Sequence, residues 1–344
     1  MIDLRSDFVA RPTPEMVAAM ARAAELPGGF GPREDATVAR LERLAADTLG
    51  LADALFCPTC TMANQIAIHL RCRPGEAFVT EAEAHVVTSE SAAPAALSGA
   101  MPKLVPAKGG ALAIAAVEAA LTGADAQRAR VGLVVMENTH VRSGGTVLGL
   151  EHMAAIAELA RVAGVPVHLD GARLFNAACA LGVAAAELAA CADSVACNLN
   201  KGLGAPLGAI LAGPADFIAE AVRIRQMFGG GWRPAGIPAA AGIVALESMV
   251  DRLADDHARA RALADGLAAL DGIDIDPETV ESNIVLARPR GLTPDALAEA
   301  LAGEGILALP FGPFLRLVSH HEIDDDAVEE TLAAFRAVLS GEAP

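Results

Sequence analysis

Short apolar segments alternate with amphipathic helical segments along most of this 344-residue chain, and this alternation constrains its architecture. Apolar runs such as AFVTE, VGLVVMENTH and VPVHLD are each followed by a stretch with helical periodicity. Strands that alternate with helices form a mostly parallel sheet with helices on both faces, so we predict an α/β fold. We expect functional groups where strands end, because open α/β sheets bind ligands at the carboxyl ends of their strands.

The pattern changes in the last third of the chain. From Gly236 a long helical stretch leads into shorter strands, in SNIVLARPR and FLRLVSHH, and a last helix. We therefore predict a large domain over residues 1–245 and a smaller α+β domain over residues 246–344. A hydrophobic content of 53% and a mean hydropathy of +0.40 allow a core of the size that two such domains need.

Charge and cysteine usage exclude several classes of protein. A net charge of −17, without a basic stripe, argues against nucleic acid as a partner. No apolar run approaches the roughly 18 residues that a membrane span needs, and the charged start MIDLRSDF is unlike a signal peptide. Six scattered cysteines indicate reduced thiols. We expect a cytoplasmic protein that binds neither nucleic acid nor membrane, and its high apolar content fits an interface between subunits.

Two predicted strand ends carry the residues that pyridoxal phosphate (PLP) chemistry requires. Asp170 ends the run VPVHLD, and Lys201 follows SVACNLN and opens the glycine-rich turn GLGAPLG. An acid beside the pyridine nitrogen keeps the ring an electron sink, and a lysine amine binds the cofactor covalently. Alone, Asp170 also fits a helix N-cap or a turn, and Lys201 fits a solvated charge. Their pairing in this order favours PLP.

Two features near this pair fit a bound cofactor. Arg173 follows Asp170 across a tight Gly-Ala turn, so it could meet the ring oxygen or a substrate carboxylate, or form a local ion pair with Asp170. The glycines after Lys201 would let the backbone pass close to the cofactor.

Cys57 and Cys60 form a C-x-x-C spacing that also occurs in redox and zinc sites. A zinc site would need a second such pair, and the remaining cysteines do not have this spacing, so we expect no metal. A thiol oxidoreductase built on this pair is the alternative from outside PLP chemistry, together with a PLP-holding protein without turnover.

The chain resembles the threonine aldolase (beta-eliminating lyase) family of PLP-dependent fold type I enzymes. The matching segments follow the family order over nearly the whole chain. They are MIDLRSDFVARPTPEMVAAM, TMANQIAIHLRCRPGE, EAEAHV, ENTH, GGTVL, HLDGAR, NKGLGAPLG, FGGGWRPAG and LRLVSHHEID. The resemblance implies an aspartate-aminotransferase-like fold, with a mostly parallel central sheet flanked by helices and a smaller α+β C-terminal domain.

The resemblance also implies how the phosphate of PLP is bound. A helix that begins at Thr61 would hold it through the Thr61 hydroxyl and the backbone N–H groups of this residue and of Cys60. Arg233, in FGGGWRPAG, would reach the phosphate, in relatives commonly from a neighbouring subunit. A homo-oligomer with shared active sites, a dimer or a tetramer, is therefore implied.

His85, in EAEAHV, matches the family histidine that stacks on the pyridine ring. Because the chain contains no tyrosine, the candidates for stacking are His85, a phenylalanine or Trp232. In aldolases of this family the histidine, or a water that it holds, also takes the proton of the β-hydroxyl. Glu90 could hold this histidine or the water.

For the substrate, the resemblance implies that Arg316, with Ser6 and Arg173, binds an amino-acid carboxylate. The implied reaction cleaves a β-hydroxy-α-amino acid, such as threonine, allo-threonine or phenylserine, to glycine and an aldehyde, with Lys201 and His85 as catalytic residues. A β-eliminating lyase or an aminotransferase is the alternative within PLP chemistry.

The sequence departs from the family pattern at several positions. Cys60 stands where relatives usually carry glycine, and Asn200 stands where a serine usually precedes the lysine. In FGPREDAT, Phe30 replaces a tyrosine and Pro32-Arg33 is an insertion. The segment GADAQRARVG lacks the second histidine with which relatives contact the β-hydroxyl of L-threonine. With fewer fixed polar groups near this hydroxyl, we predict a weak preference between its epimers.

Overall fold

A computed structural model describes residues 1–122 and 126–341 of the chain. The segment GADAQRARVG, in which the family's second histidine is missing, therefore lies in part outside the described residues.

The strands, in chain order, are β1 (Ile2–Asp3), β2 (Asp53–Cys57), β3 (Ala77–Thr80), β4 (Met101–Leu104), β5 (Ala107–Lys108), β6 (Ala111–Leu112), β7 (Val131–Glu137), β8 (Val167–Asp170), β9 (Ser194–Asn198), β10 (Ala209–Gly213), β11 (Ile273–Asp274), β12 (Ile284–Pro289), β13 (Ile306–Leu307), β14 (Leu309–Phe311) and β15 (Phe314–Val318).

The α-helices are α1 (Pro14–Ala24), α2 (Ala36–Leu49), α3 (Cys60–Arg71), α4 (His85–Thr88), α5 (Ala93–Ser98), α6 (Ile114–Thr122), α7 (Leu150–Val162), α8 (Leu174–Leu181), α9 (Ala185–Ala189), α10 (Ala215–Met227), α11 (Gly236–Val244), α12 (Leu253–Ala268), α13 (Pro294–Gly303) and α14 (Asp325–Ser340). A π-helical turn, Ala245–Met249, follows α11. Among the described residues, none of these helices combines the length and the apolar character needed to cross a membrane.

The central sheet has the strand order β2-β10-β9-β8-β7-β3-β4. Only β10 runs antiparallel to its neighbours in this sheet, so the prediction of a mostly parallel sheet is confirmed. Alternate residues of β7 pack on opposite faces: Val134 joins a core cluster with Met153 of α7, and Leu133 joins one with Ile68 of α3. Both faces are thus covered by helices, as parallel sheets require.

A second core lies around the four-stranded antiparallel sheet β11-β12-β15-β14. Helices α12 and α14 pack on it through residues such as Leu263 and Phe335. The N-terminal strand β1 pairs with β13, and Leu4 lies in this second core. The first residues of the chain therefore pack against its C-terminal part, and the domain division at residue 245 stays a prediction.

The segment that departs from the family, FGPREDAT, is anchored by a buried carboxylate. Glu42, in α2, is 1% exposed and accepts the backbone N–H of Phe56 at 2.9 Å. Arg33 pairs with Glu42 at 2.9 Å and with both oxygens of Asp53 at 2.7 and 2.8 Å. The guanidinium of Arg225 lies 3.8 Å from Glu42. The inserted Arg33 thus fastens the segment to the sheet.

We expect Glu42→Ala to lower the free energy of unfolding by about 3–5 kcal/mol, because it leaves Arg225 buried without a counter-charge and Arg33 with one partner fewer. Urea denaturation measures this loss. The control is Glu158→Ala, which removes an exposed pair with Arg161 and should cost no more than about 1 kcal/mol. Equal losses in the two variants would contradict the anchoring role of Glu42.

Candidate active site

The register of the central sheet gathers polar residues at one edge. Asp170, at the end of β8, is paired with Glu137 of β7 and with Ala196 of β9. Strand β9 ends at Asn198, so Lys201 follows at the same edge, close enough to interact electrostatically with Asp170. The structure therefore brings together the two residues that the sequence pattern paired.

Three groups donate hydrogen bonds to the buried Asp170 carboxylate. The side-chain amide of Asn64 donates to Oδ2 at 2.8 Å, and the backbone N–H of Ala172 donates to Oδ1 at 3.2 Å. The Cys60 thiol lies 3.9 Å from the same Oδ1. Arg173 does not pair with Asp170, so the alternative of a local ion pair between them is wrong.

Lys201 has the electrostatic environment of a reactive amine. Its burial and the nearby Arg173 guanidinium lower its pKa, and the Asp7 carboxylate opposes this only in part. A lowered pKa increases the fraction of neutral amine near pH 7, and the neutral amine is the form that attacks a carbonyl.

The turn after Lys201 needs its glycines for packing within the chain. A Cβ on Gly202 would lie 2.8 Å from a methyl group of Leu253, and Gly208, with a φ of 111°, lies against the ring of Phe56. The close neighbours of Gly202 and Gly208 are side chains of the protein itself, and the approach of this turn to a cofactor stays a prediction.

His85 lies at the start of α4 and is held at two points. Its backbone N–H donates to Glu137 Oε2 at 2.6 Å, and its Nδ1 lies 2.8 Å from Oε1 of the buried Glu90. Burial opposes the charged form of the ring, but the hydrogen bond to Glu90 and the charge of Asp170 outweigh it and raise the pKa of His85. Its Nε2 has no hydrogen-bond partner within the described residues and is the nitrogen available to a ligand.

His85, Glu90 and Asp170 each offer an atom within 4.8 Å of the other two, a spacing that a metal ion could use. The side-chain nitrogen of Asn64, however, donates to both carboxylates from between them. An amide donor in this position directs the carboxylate lone pairs toward its own hydrogens, so the arrangement favours a hydrogen-bonded network over metal ligation.

Helix α3 begins at Cys60, one residue before the predicted start, with Thr59 as its N-cap. The Thr59 side chain accepts the backbone N–H of Met62 at 3.1 Å. Within the described part of the chain, the N–H groups of Cys60 and Thr61 have no acceptor. Unpaired N–H groups at a helix N-terminus bind anions such as phosphate.

The C-x-x-C pair does not have the properties of a redox site. Cys57 and Cys60 are both free and buried, as separate thiols. Burial raises the pKa of Cys57 to about 12, and burial together with the Asp170 charge raises the pKa of Cys60 well above its usual range. Since the thiolate is the reactive form, neither thiol is activated.

Asp7 is a site residue that the sequence analysis did not identify. It is fully buried, and its two oxygens accept Nε and Nη2 of Arg173, each at 2.7 Å. Asn283, next to β12, donates to it at 3.1 Å. Burial would raise the pKa of Asp7, but the Arg173 guanidinium outweighs this and lowers it to about 2. One carboxylate thus joins the N-terminal segment, the central sheet and the second core.

Arg316, on β15, is a buried cation without a carboxylate partner among the described residues. Its Nη2 donates to the backbone oxygen of Arg5 at 3.0 Å, its Nε has no acceptor, and its guanidinium lies 5.2 Å from the ring centre of Phe311. Burial and the nearby Arg173 lower its pKa to about 10. Ser6, also buried, donates weakly to Asp7 at 3.4 Å. A cation in this state attracts an anionic ligand.

Arg233 lies on the surface of the single chain. It donates to the backbone oxygen of Gly231 at 3.3 Å, and its guanidinium is 6.0 Å from the ring centre of Phe30. Phe30 is 90% exposed, so its ring is not packed within the single chain. Within the described residues Arg233 makes no hydrogen bond to Thr61.

The chain is similar in sequence and in fold to known proteins. The sequence profile of the family described as beta-eliminating lyase matches residues 3–289. The probable low-specificity L-threonine aldolase 2 of Arabidopsis thaliana is 36% identical, over 98% of this chain and 97% of the relative. The low specificity L-threonine aldolase of Escherichia coli strain K12 is 36% identical, over 99% of this chain and all of its own. The solved threonine aldolase of Leishmania major, 22% identical, shares the fold with a TM-score of 0.85, over 98% of this chain and 100% of that one.

We expect Asp7→Asn to lower the free energy of unfolding at pH 7 by about 2 kcal/mol, because the pKa of Asp7 is about 2 in the folded protein and 3.8 as an ordinary value. A lowered carboxyl pKa stabilises the fold above the ordinary pKa, and this stabilisation is lost as the pH falls toward the folded value. The difference between wild type and variant should therefore shrink as the pH falls from about 5 to about 2.

Urea denaturation at several pH values measures this difference. Asp3→Asn, which removes an exposed pair with Arg5, is the control and should change stability by no more than about 1 kcal/mol. A difference between wild type and Asp7→Asn that is independent of pH would show that the Asp7 charge does not stabilise the fold.

Proposed function

Because the chain belongs to the beta-eliminating lyase family, we propose that it is a PLP-dependent aldolase that cleaves a β-hydroxy-α-amino acid to glycine and an aldehyde. One observation carries this proposal. Lys201, Asp170 and the unpaired N–H groups at the start of α3 lie at the same edge of the sheet. Relatives named as low-specificity L-threonine aldolases match the chain over nearly its full length and support the reaction.

The site residues fit PLP. The N–H groups of Cys60 and Thr61 would hold the phosphate, and the Asp170 carboxylate would accept a hydrogen bond from the protonated ring nitrogen and keep it protonated. Lys201, with its lowered pKa, would hold the cofactor covalently, and His85 would lie against the ring. When bound, PLP supplies an electron sink for a bond that breaks at the α-carbon of the substrate.

The carboxylate of the substrate would be bound by Arg316 with help from Ser6. Arg316 has free N–H groups and no carboxylate partner among the described residues, and an arginine recognises a carboxylate through paired hydrogen bonds. Asp7 already occupies the edge of the Arg173 guanidinium formed by Nε and Nη2, so Arg173 would act with its remaining N–H groups and its charge. Asp7 keeps this arginine in place when no substrate is present.

His85 would take the proton of the β-hydroxyl, directly or through a water. Its Nδ1 is bound to Glu90, so Nε2 is the nitrogen that would receive the proton. Glu90 then stabilises the charged ring that forms. Because the pKa of His85 is raised, the neutral ring, which is the form that acts as a base, predominates only at a higher pH than it does for an ordinary histidine.

The proposed active form is a homo-oligomer, in which Arg233 of one chain reaches the phosphate site of another. The exposed position of Arg233 beside Phe30 supports this, because a surface arginine and a surface aromatic ring are available to a second copy. The cytoplasmic location stays a prediction.

We expect Lys201→Ala to lose the borohydride-reducible attachment of PLP and to lower turnover by at least about 10²-fold, the lower end of what a positioned acid or base contributes. The fold should persist, because burial disfavours the charged form of Lys201 and the variant removes that charge. Mass spectrometry after reduction detects the attached cofactor, and circular dichroism detects the fold.

The chain's other lysines provide the control. Lys103→Ala and Lys108→Ala should keep the reducible attachment, since Lys103 is bound to the backbone oxygen of Ala120, away from the site. Retention of the reduced adduct in Lys201→Ala would show that another amine holds the cofactor.

The substrate assay decides between the aldolase and its alternatives. We expect L-threonine and L-allo-threonine to be cleaved at rates within about tenfold of each other, a barrier difference of about 1.4 kcal/mol, because the family's second histidine is missing. L-Phenylserine should be accepted at least as well as threonine. Glycine, aldehyde, ammonia and keto acid are measured separately, with the D-amino acids as controls.

Glycine with an equal amount of aldehyde supports the aldolase. Ammonia with keto acid from a β-substituted amino acid would instead favour a β-eliminating lyase, and a keto acid formed only with an amino acceptor would favour an aminotransferase. Strong discrimination between the two hydroxyl epimers would contradict the expectation drawn from the missing histidine.

A further inference from the structure

A continuous chain of hydrogen bonds runs behind the site and converges on one side chain, Asn64. Its Nδ2 donates to Glu90 Oε1 at 2.9 Å and to Asp170 Oδ2 at 2.8 Å. Its Oδ1 lies 3.0 Å from Nε2 of His168, and the Nδ1 of that ring lies 2.9 Å from the Ser194 hydroxyl. All of these side chains are buried. The amide of Asn64 thus uses both of its hydrogens and its oxygen.

The direction of each hydrogen bond follows from the neutral state of His168. Burial lowers the pKa of this ring to about 4, so near pH 7 it carries one N–H. The Asn64 oxygen can only accept, so the proton of His168 lies on Nε2 and its Nδ1 accepts the Ser194 hydroxyl. An Asn64 amide turned by 180° would set its oxygen against the two carboxylates, which can only accept hydrogen bonds. Only one orientation of the amide satisfies every partner.

Glu90 and Asp170 need this bridge because they are buried carboxylates close to each other. Glu90 also accepts Nδ1 of His85 at 2.8 Å and the side-chain nitrogen of Gln65 at 2.6 Å. Asn64 is the donor that both carboxylates share. A donor between two like charges reduces their repulsion and replaces the water that burial removed.

We propose that Asn64 is the positioning residue of this site: its amide sets the places of the Glu90 and Asp170 carboxylates, and His168, backed by Ser194, holds the amide in place by donating to its oxygen. Asn64 acts through His85 and Asp170, the groups that meet the ring of the cofactor in the proposed function. Only the purpose of this arrangement, which is to hold the groups that would meet the cofactor ring, rests on the proposed function. The arrangement itself is a property of the folded chain.

The proton affinity of His85 reports on this bridge. The charged groups that face its ring are Glu90, Asp170 and Lys201, while Glu137 accepts its backbone N–H. Without the Asn64 amide, Glu90 and Asp170 keep their negative charges but each loses one hydrogen-bond donor. The uncompensated charge stabilises the protonated ring, so His85 should lose its proton at a higher pH.

The experiment uses the full-length protein without added PLP, with histidine rings labelled with ¹³C and followed by NMR as the pH is raised. The signal of His85 is assigned from His85→Gln. Four variants are compared. Asn64→Leu removes the amide and keeps the branching at Cγ, and Gln65→Leu removes a donor from Glu90 alone. His168→Leu removes the donor to the Asn64 oxygen, and His168→Gln keeps a donor at that place.

We expect the titration midpoint of His85 to rise by about one pH unit in Asn64→Leu and in His168→Leu, a tenfold change in proton affinity. His168→Gln should restore the wild-type midpoint. Gln65→Leu should give a smaller rise than Asn64→Leu, because it leaves the bridge to Asp170 in place. If Asn64→Leu does not fold, the two His168 variants still test the proposal.

An unchanged His85 midpoint in His168→Leu, or an equal shift in His168→Gln and His168→Leu, would overturn the proposal. A shift in Gln65→Leu as large as that in Asn64→Leu would also overturn it, because Asn64 would then affect His85 no more than another donor to Glu90 does. These measurements need neither cofactor nor substrate. Failure of the proposed function appears separately, as the absence of glycine and aldehyde from the wild-type protein.

Discussion

The parallel run of β7, β8 and β9 determines where Glu137, Asp170 and Lys201, at the centre of the site, lie. Parallel strands end at one edge of a sheet, so Glu137, Asp170 and the turn that carries Lys201 emerge side by side although they are distant in sequence. Strand β2 runs in the same direction, and α3 therefore begins at this edge, with the Cys60 thiol 3.9 Å from Asp170. A helix N-terminus, an acid and an amine meet because the strands share a direction.

Burial of charge is the second constraint. Most of the buried charges in the site have partners of opposite charge or hydrogen-bond donors, and one does not. Asp7 is matched by the fork of Arg173, and Glu90 is matched by His85 and two side-chain amides. An unpaired buried charge is costly, so these contacts fix the groups before any ligand arrives. Arg316 differs, because it has no carboxylate partner among the described residues. This uncompensated cation supports the proposal that Arg316 binds an anionic substrate.

The departures from the family alter the surroundings of the site more than its centre. Cys60 adds a protonated thiol beside Asp170, and Arg33 fastens its segment through Glu42. The pairing of Asp170 with Lys201 is retained. In the proposed function, the groups around Arg316 and His85 would orient the substrate, and such site residues, more than the shared fold, determine a reaction.

The sequence by itself determined the alternating elements, the mostly parallel sheet and the pairing of Asp170 with Lys201, because residue type and position at a strand end are local properties. Only the tertiary structure decided which partners these residues have. Asp7 meets Arg173 across 166 residues, and Asn64 meets Asp170 across 106. No periodicity marks a buried carboxylate or amide as a bridge, since its role exists only after α3 packs against β8 and the N-terminal segment closes over the sheet.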